Sequence, residues 1–155
     1  MLRKIGIIAV LSLLVTAFAA VPVLAQSGHF VGTPTCTDRG TTFQCTGKVA
    51  GLGGTTFEIR TEAQGTASVT CTNPAGNVAP GQSFTTTATG TTGPTPTPRN
   101  GQASFNVTSA TPTAPAGSCP NPKWTATVTD VEFGDATLTL VEDSTVSDTI
   151  TVPVT

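Results

Sequence analysis

The chain has 155 residues, of which 37% are hydrophobic, 10% charged and 5% aromatic with no Tyr, while 33 are Thr. The charged share is less than half the roughly 25% usual in soluble domains, and seven Lys and Arg against nine Asp and Glu cannot supply the basic footprint of a nucleic-acid binder. A coiled coil is excluded as well, because it needs a chain dominated by Ala, Glu, Lys, Leu and Arg.

Arg3 and Lys4 precede an apolar run over residues 5–20, Pro22 interrupts it, and Val23-Leu24-Ala25 stands before Gln26. This is the pattern of a secretory signal peptide over residues 1–25. A membrane anchor would need roughly 18 or more apolar residues, but Pro22, the Val-Leu-Ala site and the missing charged stop sequence favour cleavage. No Cys stands at the cleavage point to carry a lipid. The expected product is residues 26–155, a single domain with a net charge of 5 − 9 = −4. It is expected outside the cell, or in the periplasm where the host has an outer membrane, as a monomer without a membrane span.

Four Cys remain behind the signal: Cys36, Cys45, Cys71 and Cys119. An even count in an exported chain reads as disulfides. If Cys36 lies opposite Cys45, Arg39 faces Thr42 around a Gly40-Thr41 loop, and Gly at the first loop position suits a type II′ hairpin turn. Counting outward from the turn makes 36 and 45 a non-hydrogen-bonded pair, where side chains are closer. Cys71 is then left for Cys119. A zinc site is disfavoured by the spacing and by the single His, so no metal or other cofactor is expected.

Along the mature chain the period is two, with no helical repeat. Phe43, Cys45 and Val49 share a strand face that ends at Gly51-Leu52-Gly53-Gly54. Phe57, Ile59 and Thr61 alternate with Glu58, Arg60 and Glu62, and Ala67, Val69 and Cys71 alternate likewise before Asn73-Pro74. A weak Thr-rich strand over 83–88 leads into an extended exposed loop expected over 89–100. Ala103, Phe105 and Val107 form the next strand, and a second Pro-rich loop over 111–122 carries Cys119. Trp124, Ala126 and Val128 then share a face, and the apolar parity switches at Val131 and Phe133, predicting a bulge near Asp130. Gly134-Asp135 reads as a turn, followed by Ala136, Leu138 and Leu140. Ile150, Val152 and Val154 make the last strand, which Pro153 marks as an edge. Eight or nine such strands predict an all-β, immunoglobulin-like antiparallel sandwich, with a small closed barrel as the alternative.

Candidate chemistry is sparse. His29 is the only imidazole of the chain and lies near the expected mature start, far from any Gly-x-Ser-x-Gly elbow, so no catalytic residue is assigned. Glu58 and Glu62 could form a glycosidase pair, but Arg60 between them points to a solvated strand face. Asp130, Glu132 and Asp135, expected at a hairpin around Gly134, offer oxygen ligands for calcium without matching a calcium-loop spacing. Trp124 is read first as a core aromatic and second as a ligand-stacking platform. Asn106-Val107-Thr108 is a glycosylation sequon, and the Thr and Pro loop ending at Pro98 is a candidate for O-linked sugar.

Val69-Thr70-Cys71-Thr72-Asn73, the run from Asn100-Gly101 to Phe105-Asn106-Val107-Thr108, and Cys119-Pro120-Asn121-Pro122-Lys123-Trp124-Thr125-Ala126 resemble an uncharacterised family of secreted, disulfide-containing bacterial β-sandwich proteins. That resemblance covers residues 66–140 and implies a bacterial origin, the second disulfide and the sandwich, but no activity. The composition and the Cys36–Cys45 hairpin also resemble the apoproteins of enediyne chromoproteins, which carry a small ligand in an immunoglobulin-like fold. The second cysteine pair departs from their short-loop spacing. The expectation is a secreted, non-enzymatic structural or binding module with an unidentified extracellular partner, for example a peptide added beside residues 150–154. A small-molecule carrier with a cleft between the sheets is the second reading, and a carbohydrate-active enzyme the last.

Overall fold

The described residues, 27–155 in a computed structural model, form nine strands of period two and no helix. The signal peptide expected over residues 1–25 lies outside the described residues. The strands are β1 (His29–Asp38), β2 (Phe43–Ala50), β3 (Thr56–Thr72), β4 (Val78–Pro80), β5 (Phe84–Thr91), β6 (Thr95–Pro96), β7 (Ala103–Thr108), β8 (Thr125–Glu142) and β9 (Thr145–Val152). One sheet has the order β1-β2-β7. In the other, β3 pairs with β8 on one side and with β4, β5 and β6 in turn on the other, and β9 completes the edge beyond β8. All these pairings are antiparallel and neither sheet closes on itself, so the architecture is a β-sandwich and not a barrel.

The first hairpin has the expected register. Cys36 pairs with Cys45 and Asp38 with Phe43, the Arg39 amide donates to the Thr42 carbonyl at 2.8 Å, and Gly40 takes a φ of 82° that a side chain would resist. The Cys36–Cys45 and Cys71–Cys119 disulfides are both formed, and no free cysteine remains among the described residues. The first disulfide is buried in the core. The second ties β3 to the loop before β8, where the Gln82 amide also donates to the Ser118 carbonyl.

Several segments depart from the sequence reading. Residues 57–61 and 67–71 belong to one continuous strand, β3, because the inward parity set by Phe57, Ile59, Ala63 and Ala67 is never interrupted. The expected exposed loop over 89–100 is largely laid against β3: β5 runs to Thr91, and Thr95–Pro96 pairs with Phe57 and Thr56. The bulge near Asp130 is present, since Ser68 pairs with Asp130 and Val69 with Val128, leaving Thr129 extra. Gly134-Asp135 is not a turn. Ala63 pairs with Ala136 and Gly65 with Phe133, so both residues face Gln64 in a second bulge and β8 continues. The chain reverses instead at Asp143-Ser144, two non-glycine residues with φ of 44° and 72°.

Between the sheets lie Phe43, Ile59, Leu138, Leu140 and Val107, each essentially inaccessible. Phe43 meets Phe133 edge-on with ring centroids 5.1 Å apart, and Phe30 meets Phe105 at 5.9 Å, a geometry favoured by the ring quadrupoles. Trp124, expected in the core, is half-buried at the foot of β8 and lies outside the core cluster. β9 is an edge, but it stops before Pro153. Val154 then bridges Cys36 in parallel, and Thr155 donates to the Cys36 carbonyl and accepts from the Asp38 amide. The segment suggested for peptide addition is therefore already engaged beyond Val152.

Closing a loop of 48 residues restricts the unfolded chain more than closing one of 9, by about 4 against about 3 kcal/mol in the chain-entropy model. Replacing Cys71 and Cys119 together by Ala should therefore lower the melting temperature more than replacing Cys36 and Cys45. Equal losses in scanning calorimetry would contradict this ranking.

Candidate functional site

Two arrangements of polar side chains stand out, one inside the fold and one on its surface. The inner one is at the β8–β9 hairpin. Leu138 and Leu140 set the inward parity of β8, and the next inward position is Glu142, a carboxylate with no accessible surface. It accepts hydrogen bonds from the backbone amides of Gly28 at 3.0 Å, Gly53 at 2.8 Å and Gly54 at 3.1 Å, and from the Ser147 hydroxyl at 2.6 Å. Gly28 is needed for this approach, because a Cβ there would collide with the carboxylate. Burial pushes the Glu142 carboxyl up, but the bonds from Ser147, Gly54, Gly53 and Gly28 together outweigh it and hold the group below the ordinary carboxylate range.

Asp143 beside it is exposed and accepts from the amides and hydroxyls of both Thr55 and Thr56. Those bonds, the Thr55 hydroxyl first, hold its carboxyl far below the usual value. The pair thus joins the start of β1, the 51–54 turn, the start of β3 and β9. Its role is structural, and sequence reasoning passed over it. The available signal was an acid at an inward-parity position, directly after Leu138 and Leu140.

The surface arrangement is on the outer face of the six-stranded sheet. Three hollows of about 550, 370 and 450 Å³ succeed one another there. The first and second share Glu62 and Thr137, and the second and third share Gln64 and Gly134, so they form one trough along β3 and β8. Cross-strand registry builds its walls: Thr91, Arg60 and Thr139 form one row, and Thr89, Glu62 and Thr137 the next. Arg60 donates to Glu58 Oε2 at 2.8 Å, and the Thr91 hydroxyl donates to Glu58 Oε1 at 2.7 Å. Arg60 and then Thr91 hold the Glu58 carboxyl below its ordinary value.

Glu58 and Glu62 are four residues apart on one strand, about 13 Å between Cα atoms at the strand rise, and both oxygens of Glu58 are already bonded. They stand side by side on β3 along one wall of the hollow, not on opposite walls.

The remaining candidates are dispersed. Asp130, Glu132 and Asp135 are exposed along β8, not gathered at a hairpin, and no group of three potential ligands that could hold a metal is found among the described residues. β8 continues through the bulge at Gly134-Asp135 without reversing, and that is why they stay apart. His29 is exposed on β1, with Nδ1 at 3.0 Å from the Ser27 carbonyl. Asn106 is exposed on β7, and its Oδ1 accepts from Gln44 Nε2 at 2.8 Å. Among the described residues, no helix is long and apolar enough to cross a membrane. Comparison with protein-family models, curated proteins and solved structures returned no match.

Both acids of the hairpin have folded-state values below their unfolded ones, so their contribution is full above about pH 4 and is lost as the pH falls through the depressed values. The melting temperature should drop steeply on acidification below about pH 4, and Asp143→Asn should flatten that dependence. Glu142→Ala leaves buried amides without an acceptor and should destabilise the fold by about 3 kcal/mol or more. A Glu142→Ala variant as stable as the parent in urea would refute the structural role.

Proposed function

We propose that this protein is a secreted, non-enzymatic binding module that works through the outer face of its larger sheet, and that it belongs with the secreted bacterial sandwich proteins it resembles. One observation carries this reading. The space between the sheets is filled by Phe43, Ile59, Leu138 and Leu140, whereas a hollow of about 550 Å³ lies on the outside and is lined by Thr, Glu and Arg. A carrier needs an enclosed, mostly apolar cavity that buries its ligand. Trp124, the one aromatic proposed as a ligand contact, lines none of the hollows of the trough. The two disulfides suit an oxidising compartment outside the cytoplasm. The side chains around Glu58 are committed to one another and suit recognition better than proton transfer.

Native mass spectrometry of the protein recovered from culture supernatant tests this directly. The expected species begins at Gln26 or its cyclised form, carries two disulfides and has no stoichiometric small molecule attached. A bound small molecule would favour the carrier. Hydrolysis of a glycan or ester that disappears in Glu58→Gln or Glu62→Gln would overturn the non-enzymatic reading.

A further inference from the structure

Past the tip of the β1–β2 hairpin the larger sheet carries a second buried cluster, separate from the core of the sandwich. The tip reaches β8 at Val131, whose amide donates to the Gly40 carbonyl at 2.9 Å. Further along, Val69 pairs with Val128 and Cys71 with Ala126. Ala67, Val69, Cys71 and Val131 are all buried, yet none belongs to the core cluster between the sheets. Cover for them comes from a strap over residues 109–124, which crosses from β7 to β8 with no strand of its own. Gly81 marks how closely it packs: a Cβ there would lie 2.8 Å from both Cys71 Sγ and Val69 Cγ1 and 3.0 Å from the Ser118 carbonyl oxygen of the strap.

The two ends of the strap are fastened differently. At its start Ser109 exchanges two hydrogen bonds with Phe43, and the Ala110 amide donates to the Thr89 carbonyl. Residues 111–117 make no backbone hydrogen bond to the rest of the fold among the described residues, and the prolines at 112 and 115 have no amide to offer. At its far end the Gln82 amide donates to the Ser118 carbonyl at 2.8 Å, and the Cys71–Cys119 disulfide supplies the covalent tie.

Burial separates this disulfide from the other one. Cys36 and Cys45 are 1% and 0% exposed inside the sandwich, and Val154 and Thr155 lie along Cys36. Cys119 is only half-buried. Disulfide exchange requires a thiolate to reach a sulfur atom. Cys36–Cys45 is therefore reached only when the sandwich itself unfolds, whereas Cys71–Cys119 is reached from the folded state or by a local opening.

We propose that Cys71–Cys119 is a redox-controlled fastener: its reduction by a dithiol releases the strap and uncovers the strip at Val69 and Val128 while the sandwich stays folded. A reductant thiolate attacks Cys119 Sγ, and the Cys71 sulfur leaves and takes up a proton. The reductant's second thiolate then displaces Cys119, which is protonated in turn. Two electrons and two protons pass to the protein, and the dithiol ends as a cyclic disulfide. Trp124, the only Trp of the chain, closes the strap with its amide bonded to the Asn121 carbonyl at 3.0 Å and so reports on the release.

Treatment of the native protein with dithiothreitol at room temperature tests this, with iodoacetamide quenching, peptide mapping and Trp124 emission followed together. Cys71 and Cys119 are expected to be labelled at least about a hundredfold faster than Cys36 and Cys45. Trp124 emission should shift to the red in step, with the β-sheet circular dichroism retained, and oxidised glutathione should restore the original emission. The double variant Cys71→Ser, Cys119→Ser should show the shifted emission without reductant and keep Cys36 and Cys45 unlabelled over the same interval.

Labelling of all four cysteines at one rate, or of Cys36 and Cys45 first, would overturn the proposal. Reduction of Cys71–Cys119 with unchanged Trp124 emission would overturn it as well, because the strap would then hold without its fastener. Loss of the sheet signal in step with reduction, or a double variant that is unfolded at room temperature, would show that the sandwich opens as a whole and would also refute it.

Discussion

The antiparallel pairing of β3 with β8 is the constraint on which the rest of the molecule depends. Fifteen pairs between these strands, from Phe57 with Glu142 to Thr72 with Thr125, fix which side chains face inward along the whole length of the larger sheet. Because side chains alternate strictly, a slip of one residue would exchange the core face for the wet face. Two bulges absorb two such slips. The first, at Thr129, separates the half-buried Ala126 and Val128 from the inward Val131. The second, opposite Gln64, restores the parity needed to bring Ala136, Leu138 and Leu140 into the core. The same second bulge places Gly134 at the junction of two of the outer hollows, so the correction that fills the core also shapes the surface.

At the far end of that ladder the inward parity delivers a carboxylate, and its surroundings explain why it is tolerated. A lone buried carboxylate would be strongly disfavoured. Glu142 is instead surrounded by three amides and a hydroxyl, from segments with few alternative partners: the start of β1, the 51–54 turn and β9. Directional bonds to charge join these ends more specifically than apolar contact would. Asp143 extends the junction to Thr55 and Thr56 from a turn whose positive φ no glycine relieves. An edge strand is otherwise a hazard for association. Here β9 is interrupted by an irregular step between its pairs with Leu140 and Val141, and Asp148 accepts from the Phe30 amide across to β1.

Much of this was legible in the residues. Gly40 and the two nearest cysteines fixed one register between them, and the apolar parity located the first bulge because Val128 and Val131 cannot share a face without an inserted residue. The identical signal at Phe133 and Ala136 was overridden by Gly134-Asp135, a dipeptide whose local chemistry favours turns. Tertiary pairing with β3 decided otherwise. The hairpin at Asp143-Ser144 lacked a glycine and so carried no local signal. Its stability comes from Thr55 and Thr56, nearly ninety positions away in sequence, and long-range hydrogen bonds of this kind leave no periodic trace. Glu58, Arg60 and Glu62 were recognised as an outward face, but the trough was not foreseen, because it depends on Thr89, Thr91, Thr137 and Thr139 arriving from two neighbouring strands.

The abundance of Thr links the fold to what its surface can do. A wet sheet face is commonly furnished with Lys and Glu, whose long side chains lose much rotamer freedom when ordered. Thr has a branched Cβ that favours the pleat and a hydroxyl that satisfies water, so β5, β8 and β9 can be outwardly polar and conformationally stiff at once. Thr137 and Thr151 show the result, with hydroxyl oxygens 3.5 Å apart across neighbouring strands. The hydroxyls of Thr89, Thr91, Thr137 and Thr139 are held in rows by backbone registry, so the pairing that orders the core also orders the polar face.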